Sequence, residues 1–262
     1  MKKQNIIIAI FTVMILSGTV IFAPSVSNAQ DTLSKEKDWQ FQLAPFYLWY
    51  FSIEGDQTIG TNTSDIDIDL GDLIDSVDAA FIANFQGLYK NKWGFFFDYN
   101  YIKLDETGNS GPIELDVTMK IQLVEFDALY RITQSEHFFD IKAGVRYMGM
   151  DPDIKINSMI GSNSFGQKQD WVDPIIGLRW VWNFADQWKL AALGDIGGFG
   201  VGSDFTWQGA LTVDWKPFKN VSFRGGYRAI YVDYEDGTHN TPNYFNYDAT
   251  MHGPLLGIVL QW

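Results

Sequence analysis

Hydrophobic residues recur at every second position over most of the chain beyond Asp38, the spacing of strands with one apolar and one polar face. Trp39, Phe41, Leu43, Pro45, Tyr47, Trp49, Phe51 and Ile53 fall on one such face, opposite Gln40, Gln42, Ala44 and Ser52. Phe81, Ala83, Phe85, Gly87 and Tyr89 repeat the pattern, followed by Trp93, Phe95, Phe97, Tyr99 and Tyr101. Lys90-Asn91-Lys92 between these two runs marks a tight hairpin. Carried to the end, the alternation predicts ten strands, at 38–54, 78–90, 92–104, 115–131, 137–150, 170–184, 187–199, 203–216, 220–233 and 246–262.

Two features of this alternation favour a membrane barrel over a soluble sandwich. The connections alternate long and short, apart from a brief one at 200–202, as do the extracellular loops and periplasmic turns of outer-membrane barrels. Trp39, Trp93, Trp182, Trp188 and Trp215 sit beside the short turns, and Tyr47, Trp49, Tyr99, Tyr101, Tyr147 and Tyr231 near the other strand ends, which predicts aromatic girdles at both interfaces. A sandwich would turn its large apolar faces inward. An open sheet edge cannot be satisfied in hydrocarbon, so the wall must close. The predicted fold is therefore all-β, a transmembrane antiparallel up-and-down β-barrel of about ten strands, closed, with periplasmic termini.

Composition narrows the chemistry. The 262 residues include no cysteine, which excludes a disulfide scaffold, a thiolate metal site, a cysteine nucleophile and a lipoprotein anchor. Only His137, His239 and His252 are available for imidazole chemistry, and no cofactor is expected. A formal net charge of -13 argues against nucleic acid as a partner, since phosphate binding needs a basic surface. Residues 1–29 read as a signal peptide: Lys2 and Lys3, an apolar run from Ile6 to Leu16, and a small-residue site at Ser27-Asn28-Ala29. That run is too short to span roughly 30 Å of hydrocarbon as a helix. Removing residues 1–29 takes two lysines and no acid, so the mature charge is -15. Residues 30–37 then form a short periplasmic lead and 38–262 the barrel.

If the aromatic faces meet lipid, the opposite faces line the lumen. They carry Asp98, Glu125, Asp127, Asp140, Asp173, Asp195, Asp204 and Asp214 against Arg131, Lys142, Arg146, Arg179, Lys189, Arg224 and Arg228. A set so nearly balanced predicts a network of paired charges, because an unpaired ion in a narrow lumen is costly. Barrels of about eight strands are filled by their own side chains and wide channels appear at about 16, so ten strands predict a filled or narrow interior.

The acid excess then belongs to the loops. Asp65, Asp67 and Asp69 share one face of an extended segment and form the weak candidate for a calcium or magnesium site, without EF-hand spacing. Within 71–77, Leu73, Ile74 and Val77 at helical spacing predict an amphipathic turn resting on the barrel mouth. Gly194, Gly197, Gly198, Gly200 and Gly202 precede no helix and read as strand bending and a tight turn, not a phosphate cradle. Asn62-Thr63-Ser64 and Asn220-Val221-Ser222 match a glycosylation pattern that means little in a bacterial exporter.

The stretch Asp195 to Gln208, DIGGFGVGSDFTWQ, with Gly226-Tyr227-Arg228, Val232-Asp233-Tyr234 and the ending Gly253-Pro254-Leu255-Leu256-Gly257, resembles a widespread family of uncharacterised bacterial outer-membrane β-barrel proteins. Leu43 to Trp49 and Leu70 to Asp78 are similar as well, so the resemblance spans nearly the whole mature chain. It implies an outer-membrane barrel and carries no catalytic residues.

The leading functional reading is a non-enzymatic outer-membrane barrel of structural or narrow-channel, porin-like type. Its partners would be outer-membrane lipid and lipopolysaccharide, and the barrel assembly machinery through the last strand ending at Trp262; the expected state is a monomer. Two alternatives stand beside it. One is a surface enzyme, omptin-like protease or lipid-modifying, drawing on His239 near Asp233, Glu235 and Asp236, or on His252. The other is an adhesin or ligand-binding surface on loops 151–169 and 234–245, rich in Ser, Asn, Gly and Tyr.

Overall fold

The computed structural model describes residues 38–110, 113–133, 136–158 and 161–262; the signal peptide and lead read at 1–37 lie outside them. Ten antiparallel strands form a closed wall: β1 (Trp39–Trp49), β4 (Val77–Tyr89), β5 (Trp93–Ser110), β6 (Ile113–Arg131), β7 (His137–Ser158), β9 (Gln169–Ala185), β10 (Trp188–Gly198), β11 (Phe205–Phe218), β12 (Val221–Asp236) and β13 (Phe245–Gln261). Each pairs with its neighbour in sequence, and β1 closes the ring on β13 from Gln42↔Gln261 to Trp49↔Leu255. The first wall strand starts and the last one ends at the rim of the short turns, here called the inner rim.

Three shorter strands and one helix build on the opposite, outer rim. β2 (Ser52–Ile59) takes over from β1 beside β13, pairing from His252↔Ser52 to Phe245↔Ile59, and β3 (Asn62–Ile68) folds back on β2. Helix α1 (Leu70–Ser76) follows, and β8 (Gly161–Phe165) pairs with the end of β7. The changeover from β1 to β2 needs a glycine: a Cβ on Gly253 would lie 1.8 Å from the Tyr50 carbonyl oxygen. Segments 55–77 and 151–169, read from sequence as long loops, are thus largely strand and helix. β7 alone has 22 residues, twice the 9 to 11 that cross a bilayer, so the wall rises well above the membrane.

The outward faces carry the alternating apolar residues. Phe81, Trp93, Phe126, Ile176, Leu178, Leu211 and Leu256 are all more than half exposed, which is tolerable only against lipid. At the inner rim the rings form a belt: Trp182, Phe184, Trp188, Trp215 and Phe223 follow one another at 5.5 to 6.4 Å between centroids.

The first strand departs from the reading of its sequence. A β-bulge between Leu43 and Phe46 inserts one residue, and a one-residue slip exchanges the two faces of everything beyond it. Phe46 and Leu48 therefore face lipid, while Tyr47, Trp49, Phe51 and Ile53, placed on the lipid face by strict alternation, point inward and are buried.

Candidate functional site: the barrel lumen

The lumen is layered, and the layers follow from which inward residues lie farther out along each strand. On β6, Ile121 and Leu123 lie outward of Glu125 and Asp127; on β7, Met148 and Met150 lie outward of Lys142 and Arg146; on β12, Ile230 and Val232 lie outward of Arg228. The outer half is accordingly filled by an apolar core, which also takes in Phe51, Ile53, Phe245, Tyr247 and Met251. Trp171 stacks on Tyr234 at 4.0 Å between centroids, and Trp49 packs against Phe51 at 4.7 Å. Leu73 of α1 inserts into this core, whereas Ile74, expected beside it, is exposed.

Beneath the core lies a buried charge network. Lys142 Nζ contacts Glu125 Oε1 at 2.7 Å, Asp195 Oδ2 at 2.9 Å and Asp127 Oδ2 at 3.0 Å. Arg146 donates to Glu125 Oε2 at 2.8 Å and to Asp195 Oδ1 at 2.7 Å. Gln208 links this cluster to the next, donating to Asp195 at 3.1 Å and accepting from Arg228 at 2.6 Å. Arg228 in turn donates to Asp98 at 2.8 Å and lies over the Trp49 ring at 4.8 Å, a cation–π contact that the bulge in β1 makes possible.

The layer nearest the inner rim holds two clusters. Arg131 and Arg179 both bond to Asp140, at 2.8 and 2.6 Å, and Lys189 and Arg224 both reach Asp214 at 2.7 Å. The four cations border a cavity of about 120 Å³, which adjoins a wider vestibule of about 1270 Å³ ringed by inner-rim residues such as Trp188, Lys216, Asn220 and Trp262.

Thirteen of the fifteen charged residues assigned to the lumen thus join in ion pairs there. The other two have different duties. Asp204 is exposed at the outer rim, in the turn before β11, and lies outside the network. Asp173 is buried but bonds no cation: it accepts from the Ser203 backbone N–H at 2.6 Å and from Trp171 Nε1 at 3.2 Å. It thereby holds the β10–β11 turn, where Gly198 and Gly200 adopt φ of +86° and +71°, as a tight turn requires.

The remaining candidates lie outside the lumen. Asp65 and Asp67 are exposed on β3, opposite Asp56 and Glu54, and Asp69 occupies the residue before α1 without a side-chain cap bond. Among the described residues no group of three or more Asp, Glu or His is arranged to hold a metal ion. His252 is on the outward face, bonded to the Tyr227 hydroxyl at 2.6 Å and 3.2 Å from Glu54. His239 meets the edge of Tyr244, whose hydroxyl donates to Glu235 at 3.0 Å. What the alternation could not disclose was the apolar core: residues such as Ile230, Leu255 and Val259 have apolar lipid-facing neighbours in sequence, so neither face stands out, and the parity change in β1 hid four more of them.

No protein-family model matches the chain, and no curated protein matches it. Among solved structures it is similar to the outer membrane protease OmpT from Escherichia coli, with 9% identity, a TM-score of 0.55 and coverage of 89% of this chain and 100% of that one. The attachment invasion locus protein Ail of Yersinia pestis matches at 12% identity and TM-score 0.33, covering 86% and 97% of the two chains. The translocator domain of autotransporter NalP from Neisseria meningitidis matches at 10% identity and TM-score 0.38, covering 87% and 89%. At such identities the OmpT likeness speaks for the fold alone. A closed ten-stranded barrel with a lipid-facing apolar surface and this likeness is an outer-membrane β-barrel protein; the short-turn rim of such barrels faces the periplasm.

Proposed function

We propose that the protein is a non-enzymatic, structural outer-membrane barrel whose lumen does not conduct. The observation that carries this reading is the packed apolar core across the outer half of the lumen, backed by the ion-paired layer under it. Ions crossing it would have to shed water with few polar groups in exchange, a cost of several kcal/mol or more. The charge network favours the same reading, since paired buried ions fix a wall in place better than they line a path. An omptin-like enzyme would need acid pairs and an acid–histidine pair at the outer rim, whereas His252 pairs with Glu54 on the outward face and His239 meets the ring edge of Tyr244.

Planar-bilayer recording tests the proposal. The wild-type barrel is expected to insert without producing conductance steps. The triple variant Trp49→Ala, Phe51→Ala, Tyr234→Ala, which empties the centre of the core, is expected to produce them if it retains the heat-modifiable gel mobility of a folded barrel. Reproducible ion-selective steps from wild type would overturn the sealed reading in favour of a narrow channel.

A further inference from the structure

Positive charge collects where the lumen meets the periplasm. Arg131, Arg179, Lys189 and Arg224 share two carboxylates, Asp140 and Asp214. Farther out the balance is different: Arg228 is matched by Asp98, and Lys142 and Arg146 face Glu125, Asp127 and Asp195. The lumen therefore changes sign along its axis, with an acid in excess in the middle and two cations in excess at the periplasmic end.

Those cations are not spread over a surface. All four border the cavity of about 120 Å³, whose far wall is the matched Arg228–Asp98 pair; Arg131 and Lys189 also line the vestibule through which a solute would arrive, where Glu136 and Asp186 balance Lys216 and Lys219. The cavity has room for a few waters, each taking about 30 Å³, or for one small anion. Lys189 Nζ reaches Asp214 alone among the described residues, so most of its three donors stay uncommitted to protein carboxylates. Gln42 and Gln86 line the same space and can add neutral amide donors. Two surplus cations inside a low-dielectric wall are costly unless an anion neutralises them, and guanidinium forks match the oxygens of phosphate.

We propose that this chamber binds a small doubly charged oxyanion of the phosphate class, drawn from the periplasm and held by Arg179, Lys189 and Arg224. The site is separate from any conduction path, because the apolar core closes the lumen above it.

Calorimetric titration with inorganic phosphate tests this, on protein purified from outer membranes in octyl glucoside, a detergent without phosphate, with sodium chloride holding ionic strength constant. Wild type is expected to show one saturable site. Lys189→Gln is expected to weaken it at least tenfold, and Asp214→Asn, which removes a competing carboxylate, to tighten it several-fold. Lys120→Gln, altering an ion pair on the outer wall, is expected to leave it unchanged. Heat-modifiable mobility certifies each barrel as folded; if Lys189→Gln does not fold, Asp214→Asn carries the test in the opposite direction. Heats no larger than those of a chloride control, or affinity unmoved by Asp214→Asn, would overturn the proposal.

Discussion

At the scale of single residues, the same ion pair has different worth at different depths. Lys142 is almost fully buried and touches Glu125, Asp127 and Asp195. Lys142→Met would leave those three carboxylates with Arg146 alone, and stranding buried charge in this way costs about 3–5 kcal/mol. Lys120 forms its pair with Asp151 at 3.2 Å on the outer wall, where both side chains are more than two-fifths exposed. Water and salt screen such a pair, so Lys120→Ala should change stability by no more than about 1 kcal/mol. Guanidinium unfolding of both variants in detergent, followed by tryptophan fluorescence, checks the contrast. Equal midpoints would mean that the inner network contributes no more than a surface pair.

At the scale of elements, the period-two pattern located all ten wall strands because each has a lipid face, and lipid imposes a strict choice at every second position. It failed where that pressure ends. Above the membrane β5, β6 and β7 continue with mixed residues, and β2, β3 and β8 carry polar outward faces, so they read as loops. The bulge at Leu43–Phe46 left no mark in composition, since aromatic residues stand on both sides of it and either parity looks apolar. The charged lumen was legible because Asp, Glu, Arg and Lys have no other tolerable place on a membrane strand; which cations share which acid depends on barrel closure and could not be read from any one strand. The β2–β3 hairpin gives an element-scale prediction. Asp56 lies opposite Asp65 on one side and Asp248 on the other. The hydrogen bond shared with Asp65, then partial desolvation and the charges of Asp65 and Asp248, raise the Asp56 carboxyl above its usual range. The folded hairpin therefore holds this proton longer than an unfolded one would. Its stabilisation is fully present below the ordinary carboxylate pKa and is lost as pH rises through the raised value. Hydrogen exchange across 52–68, corrected for intrinsic rates, should show the hairpin opening more readily as pH climbs through that window, and Asp56→Asn should flatten the dependence. A wild-type profile already flat would count against it.

At the scale of the whole molecule, the two ends of the barrel differ in kind. The outer half is a protein core in the ordinary sense, held by contacts such as Trp171 on Tyr234, while the periplasmic end is a polar chamber with a wide mouth. This polarity requires no moving part: it follows from the order of residues along β6, β7, β9 and β12, whose inward-facing cations Arg131, Lys142, Arg146, Arg179, Arg224 and Arg228 all lie on the short-turn side of the apolar core. Because the chain has no cysteine, single introduced thiols can report on it without background. Ala191 lines the cavity near Lys189 and Arg224, and Ala249 is buried in the outer core. Ala191→Cys should react with a small negatively charged thiol reagent when periplasmic faces are exposed, as in permeabilised cells, and should stay unreactive when the reagent is confined to the cell exterior. Ala249→Cys should resist from both sides. At Ala191→Cys the anionic reagent should outpace a cationic one of equal size, since the surplus of two guanidinium or ammonium groups concentrates anions there, and added salt should narrow the difference by screening. Modification of Ala191→Cys from outside intact cells would mean that solute crosses the core, and both the sealed lumen and the one-sided access would then fall together.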